Sequence, residues 1–334
     1  MFVRIIVGIV ILGVRPMLAE GETHPPLPPP ELTFAIPAPA SGKIVSVRAL
    51  GPDRPLEPRV AVVATASEPN GTVLPVQHPR FARWRAPDEL LIHASIRPSR
   101  DGSGNRVFRY SLSRGEMGDL ADRNGLGTPF PSPDGNLVAL ARVGSEPAEK
   151  GLAIYPLVAE PVLGLRLGDP KMFRDPSAFQ LAWNVDSRHL AVSVLMATAR
   201  GRLWPRLHLI DLASGEMRRI DDAVPPRKRE PSGTWPLFWT KQGLFASSQR
   251  GVLRCDPDGA GCTSIYEPGE HWRVSGGTAV GDGKAYVLVT DLRPDPLETR
   301  ANELHEVDLV NGGGKRILRT PANTFIEDID WIAN

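Results

Sequence analysis

Cysteine is nearly absent, with only Cys255 and Cys262 in 334 residues. A Cys-x6-Cys pair with no third cysteine and no nearby histidine is a poor zinc site. No apolar run approaches the roughly 20 residues that a membrane-spanning helix needs. No stretch of 12 residues or more carries a helical period. Charge of neither sign dominates: 39 Lys and Arg face 38 Asp and Glu, a formal net charge of +1. That balance gives no global attraction to nucleic acid or to an anionic membrane. The one dense basic run, Arg227-Lys228-Arg229, lies between prolines and reads as solvated loop charge. Phosphate-cradling, dinucleotide-binding, His-Glu-x-x-His and Gly-x-Ser-x-Gly motifs are all missing. The expectation is therefore no cofactor, no local metal motif and no nucleic-acid partner.

What is plentiful is turn chemistry. Gly and Pro number 32 and 34, which suits many short strands joined by many turns. The amino terminus reads as an export signal, residues 1–19. Arg4 is followed by an apolar run over residues 5–14, and cleavage after Ala19 leaves Glu20 first. An uncleaved anchor is the alternative. Residues 20–40 are Pro-rich and predict an extended tether, and residues 41–334 form the folded domain. In an exported chain, Cys255 and Cys262 frame a Pro-Asp-Gly turn and are expected to pair as a disulfide.

The clearest unit spans residues 181–220: an aromatic anchor, an Asp-bearing turn, an apolar strand, a loop, an alternating strand and a Gly turn. Weaker copies stand on either side. Gly115-Glu116-Met117 recurs as Gly215-Glu216-Met217, and the Leu207-to-Leu212 pattern recurs from Leu304 to Leu309. The anchors Trp84, Phe130, Trp183, Trp239, Val280 and Trp331 are roughly 40 to 56 residues apart, the length of one four-stranded propeller blade. Residues 325–332 open a unit that runs out of chain, while three surplus strands stand near the amino end. Joining the two ends completes a ring. The fold class is all-β, a six-bladed β-propeller; seven blades is the alternative if the region from Arg59 to Arg80 holds more structure.

The pattern aromatic-x-Ser-Pro-Asp-Gly-x-Leu-apolar, seen best from Phe130 to Ala141, resembles the TolB-type (WD-repeat-like) β-propeller repeat. So does the Asp211-Leu212-x-x-Gly215 ending of the following unit. The resemblance implies a rigid disk. It covers the propeller alone, because TolB itself also carries an N-terminal α/β domain and the Pro-rich tether leaves no room for one.

Asp88, Asp134, Asp186 and Asp282 recur at one place in successive repeats and read as turn residues that bond their own backbone. Asp211 and Asp308 read the same way. Asp256-Pro257-Asp258-Gly259 lacks the oxygen-ligand pattern of a calcium loop. His24, His78, His93, His189, His208, His271 and His305 are scattered, although a propeller can still gather residues from different blades at its axis. The expected function is an exported, monomeric, non-enzymatic scaffold that binds a protein or peptide partner in the cell envelope, in the periplasm or outside the cell. The alternative is a propeller enzyme, of metal-dependent lactonase or sugar dehydrogenase type, with its site at the axial channel. Distinguishing features are expected where repeats differ, in residues 97–105, 143–150, 196–204, 225–235 and 291–302.

Overall fold

The computed structural model describes residues 34–50, 58–95, 105–121, 126–142, 151–159, 166–173, 180–197, 203–220, 233–248, 251–258, 261–281, 283–293 and 301–334. The expected signal, most of the tether, Asp282 and most of the five divergent segments lie outside the described residues. Every regular element within them is a β-strand.

The strands form six antiparallel sheets, the six blades of a propeller. Blade 1 is built from both ends of the chain, with Thr324–Ala333 innermost, then Gly42–Leu50, Arg59–Thr65 and Thr72–Val73. Blade 2 is Pro79–Ala86, Glu89–Ser95, Asn105–Ser111 and Glu116–Ala121. Blade 3 is Leu126–Pro131, Leu137–Arg142 and Gly151–Val158, its outermost place shared by Arg166–Leu167 and Lys171–Phe173. Blade 4 is Leu181–Trp183, His189–Ala197, Leu203–Asp211 and Met217–Arg219. Blade 5 is Trp235–Thr240, Gly243–Ser247, Val252–Asp256 and Gly261–Tyr266, and blade 6 is Trp272–Gly281, Lys284–Asp291, Asn302–Asp308 and Gly314–Arg319. The Arg59-to-Arg80 region supplies only the outer strands of blade 1 and the start of blade 2, so no seventh blade arises.

The hydrophobic core is not one body but six seams. Each buried cluster draws side chains from two neighbouring blades: Val45, Val47, Trp84 and Ile92 join blades 1 and 2, for example, and Ile44, Val280, Leu288 and Ile329 join blades 6 and 1. Blades 2–3, 3–4, 4–5 and 5–6 meet in the same manner. Six seams between six sheets describe a closed ring. A blade facing neighbours on both sides buries both faces, which is why its middle strands read as apolar runs such as Leu90-Leu91-Ile92.

The tether ends earlier than its composition implies. Ile36 is fully buried in the seam between blades 6 and 1, its amide donates to Pro69 O at 2.9 Å, and Tyr286 donates to Pro37 O at 2.8 Å. Arg48, also fully buried, donates to Phe34 O at 2.6 Å and lies over the Phe34 ring. The described part of the Pro-rich stretch thus belongs to the disk, because its apolar residues fill a seam that prolines alone would leave open.

Turn chemistry fixes the hairpins. In Ser132-Pro133-Asp134-Gly135 the Gly135 amide bonds Ser132 O at 2.9 Å with φ at 70°. Blade 4 makes the same turn with Asn184-Val185-Asp186-Ser187, placing the non-glycine Ser187 at φ 57°. The Ser187 hydroxyl also accepts from the Asp134 amide at 3.2 Å, so neighbouring turns are tied together. The cysteines pair across the blade 5 hairpin as the Cys255–Cys262 disulfide, joining directly opposed residues.

Asn302 staples the closing strand through both of its amide atoms: its Nδ2 donates to Ile326 O at 2.7 Å and its Oδ1 accepts from Ile326 N at 3.1 Å. Asn302→Ala leaves two buried backbone groups unpaired and is expected to cost about 2–4 kcal/mol in urea unfolding, whereas a cost under about 0.5 kcal/mol would show that the strand closes without it. Reducing the disulfide releases only a short loop and is expected to cost about 2 kcal/mol while leaving the far-ultraviolet spectrum unchanged.

Candidate functional site

The six innermost strands run the same way along the axis, so the disk has an upper face where they begin and a lower face where they end. Two cavities meet at the axis. The upper one, about 290 Å³, is lined by early residues such as Phe81, Gln180, Trp235, Arg273 and Glu327. The lower one, about 390 Å³, is lined by late residues such as Arg85, Pro133, Trp239 and Ile332. Arg83, Phe130, Leu181, Leu237 and Gly277, one from each of blades 2 to 6, border both and form the waist. Blade 1 adds Asp328 above and Asp330 below. A third cavity of about 510 Å³ opens beside the upper one, shares Phe81, Ser275 and Glu327 with it, and is lined also by Arg59 and Arg80.

Arg83 controls the waist. It forms an ion pair with buried Asp328 across the seam of blades 1 and 2, and its guanidinium lies over the Phe130 ring, 5.4 Å from the centroid. Asp328 also accepts from Ala82 N at 3.1 Å. Two residues on, Asp330 accepts from Trp84 N at 2.9 Å and from the Thr278 hydroxyl at 3.2 Å, so one strand grips both neighbouring blades. Burial pushes the Asp330 carboxyl up to about 6, against the pull of Arg83. Burial also pushes Asp328 upward, offset by Arg83, while the two aspartates hold the Arg83 cation firmly protonated. On the upper face, Arg59 makes a forked pair with Glu327 at 2.6 and 3.3 Å.

The sequence-derived candidates fall elsewhere or serve other ends. Trp84, Phe130, Trp183, Trp239 and Trp331 all border the lower cavity; the first three are buried and the last two half-buried. Trp183 Nε1 donates to Phe130 O of the preceding blade at 2.8 Å. Asp134 accepts from Asn136 N at 3.1 Å and Asp186 from Arg188 N at 2.8 Å, each within its own turn. Asp88 differs from the expectation: it accepts from Ser113 N at 2.8 Å and from the hydroxyls of Ser111 and Ser113, reaching the next hairpin of its blade, because its own turn is shorter, Ala86 pairing directly with Glu89 where blade 3 pairs Pro131 with Val138. Asp211 and Asp308 cap their turns through Ala213 N and Val310 N. The disulfide lies in the outer half of blade 5, away from the axis.

Among the described residues the histidines do not converge. His93 stacks on Phe81 at 6.0 Å, and burial followed by Arg80 drives its imidazole down to about 4, so it is neutral. His189 bonds Asp186, His208 bonds Arg206 O, and His305 links Glu303 at 2.9 Å to the Tyr266 hydroxyl across the seam of blades 5 and 6. Among the described residues no three His, Cys, Asp or Glu side chains gather as metal ligands. Arg59, Arg80, Arg83, Arg273, Glu327, Asp328 and Asp330 were not legible as a group in the sequence. The available signal was Asp328-x-Asp330, two carboxylates on one side of an inner strand, where the equivalent Gln180-Leu181-Ala182 carries none.

No protein-family model and no curated protein matches the chain. Solved structures do. The β-propeller domain of the Trilobed protease from Pyrococcus furiosus superposes with a TM-score of 0.51 at 11% identity, over 86% of this chain and 98% of that one. A puromycin hydrolase variant complexed with a ligand gives 0.51 at 15% identity, over 84% of this chain and 47% of that one. Tricorn protease gives 0.49 at 11% identity, with this chain spanning 85% of its own length and 32% of that protein's. The chain thus spans a third to a half of the larger proteins it matches. At such identities the likeness shows the fold, a β-propeller. The Pyrococcus domain has an open velcro topology, whereas here Thr324–Ala333 pairs with Gly42–Leu50 over nine register positions and closes the ring.

Two measurements probe this axis. Arg83→Leu strands Asp328 without its cation and is expected to cost about 3–5 kcal/mol, with Asp328→Asn in the same background recovering a good part; simple additivity would break the pairing. The second concerns Asp330. Its folded-state pKa lies above its unfolded value, so the folded protein holds the extra proton and this residue's contribution is greatest below about pH 4. It is lost as pH rises through about 6. The stability of Asp330→Asn relative to wild type should therefore rise by roughly 1–3 kcal/mol between pH 4 and 7; a constant or falling difference contradicts the shift.

Proposed function

We propose that this protein is an exported, non-enzymatic β-propeller of TolB-like repeat type that binds a protein or peptide partner in the cell envelope through its upper face. One observation carries the reading. The only arginines along the axis without a carboxylate of their own among the described residues, Arg80 and Arg273, stand at that face beside an open cavity. Topology supports the choice of face. The strand ends flanking four of the five divergent segments, Ser95 and Asn105, Arg142 and Gly151, Ala197 and Leu203, and Thr290 and Asn302, are paired at the upper edge of their blades. The carboxylates that reach the channel are engaged by arginines, main-chain amides or a threonine, which favours a binding role over general acid–base or metal chemistry. Export is supported by the apolar amino-terminal run before Ala19 and by a disulfide of the type that oxidising compartments keep.

Two outcomes are expected. The mature protein recovered from an envelope fraction starts at Glu20 on N-terminal sequencing; an intact Met1 overturns cleavage. A photo-crosslinking residue at Thr290 on the upper face captures a reproducible partner, and one at Pro133 on the lower face does not. Equal capture from both faces, or none from either, contradicts the reading.

A further inference from the structure

We propose that the two adjoining upper cavities form one carboxylate site that takes the C-terminal end of a peptide, with Arg80 of one cavity and Arg273 of the other flanking the anion and Phe81, which lines both, carrying the apolar chain attached to it. The inference rests on the upper face being the binding face and adds to it the chemistry of the ligand.

The first argument is charge pairing. Four guanidinium groups, of Arg59, Arg80, Arg83 and Arg273, border the upper cavities, against the two carboxylates of Glu327 and Asp328. Both Glu327 oxygens are used by Arg59, and Asp328 is used by Arg83 and the Ala82 amide. Two cations are left over. Elsewhere in the disk, the half-buried Arg85 and Arg109 share Glu89 at 2.7 and 2.8 Å. The excess of positive charge is therefore local, in a chain whose formal net charge is only +1.

The second argument is that Arg80 is held in an unfavourable place. It is partly removed from water and lies near the like charge of Arg59; both effects weaken its cation, and Glu327, already forked to Arg59, offsets them only in part. A further neighbour, His93, is kept neutral and brings no negative charge. A half-desolvated cation beside another cation is stabilised by an incoming anion, since the attraction is screened less there than in open water.

The third argument selects the anion. Phe81, Leu181, Leu237 and Trp235 line the same cavity, so part of the wall suits carbon chain and not phosphate oxygens. The net charge of +1 offers little of the attraction that a nucleic acid needs. The adjoining cavities, about 510 and 290 Å³, fall in the range of ligand pockets and suit a few residues of extended peptide, not a folded domain. Ser275, shared by both cavities and exposed, and the Gln180 amide bonded to Ser275 O at 3.0 Å add hydrogen-bonding groups near the opening. A guanidinium matches a carboxylate through paired charge-assisted bonds.

Isothermal titration of the mature protein with acetyl-Ala-Leu-Leu as free acid, the same peptide as C-terminal amide, hexanoate and inorganic phosphate tests the site. The free acid is expected to bind, the amide at least about 10-fold more weakly, and phosphate not at all. Arg80→Gln and Arg273→Gln should each weaken the free acid about 10-fold, Arg114→Gln on the opposite side should not, and Arg80→Gln should leave the urea midpoint unchanged or raise it. Acid and amide binding alike, phosphate binding as well as the acid, or wild-type affinity in both variants overturns the proposal. So does hexanoate matching the peptide, which would assign the cavity to a small free acid. If Thr290 crosslinking captures a partner while these titrations fail, only the carboxylate assignment falls. If the peptide binds and crosslinking captures nothing, the protein-partner reading falls and the site stands.

Discussion

The structure depends on the seating of the strand Thr324–Ala333. It is the innermost strand of blade 1, the rest of which comes from the other end of the chain, so the ring is only as closed as this strand is fixed. Pairing with Gly42–Leu50 supplies a ladder on one side. The inner side has no sheet partner, and there the strand is held by side chains: Asp328 and Asp330 take the Ala82 and Trp84 amides of blade 2, and Asp330 reaches Thr278 of blade 6. Asn302 brackets Ile326 from blade 6. Buried carboxylates are costly unless well satisfied. Here each accepts main-chain donors and faces Arg83, and the same groups that close the ring also narrow its channel.

Around the rest of the ring, repetition does the work that these charges do at the closure. Each seam has an apolar cluster, and the aromatic anchors recur at one place between blades. Blade 6 has Val280 at its anchor position, yet its seam is not empty. The Trp331 ring packs over Gly281, where an added Cβ would lie 3.3 Å from the indole. Gly42 is required for the same reason, since a Cβ there would meet Trp331 Nε1 at 2.3 Å. One large ring from the closing strand thus supplies what its neighbour lacks, and two glycines make the space.

The ring, the blade count and the disulfide were legible because they rest on local rules. A turn such as Ser132-Pro133-Asp134-Gly135 announces itself through the residues that its backbone demands, and repeating it every blade gives the period. Cys255 and Cys262 flank another such turn, so their opposition follows from the hairpin. The axis was not legible for the opposite reason. Arg83 and Asp328 are 245 residues apart and meet only because blade 1 is stitched from both termini. Which side of an inner strand faces the channel also depends on register, and bulges at Pro79/Phe81, Trp84/Ala86 and Val47/Arg48 shift it. Ile36 was hidden by its prolines, which signal an extended chain whether or not that chain is docked.

The two faces of the disk consequently differ in what they leave unsatisfied. On the lower side, the aromatic anchors, the turn aspartates and the Asp134–Ser187 link are consumed by folding. On the upper side the repeat imposes little, and the axis carries charges that folding does not need. Glu327 and Asp328 are already matched, so two cations are surplus to the fold. A surplus charge near a desolvated wall lowers stability slightly and gains nothing from the fold itself. In a chain otherwise balanced to a single charge, such an excess at the upper opening of the axis is what a ligand of the opposite sign would use.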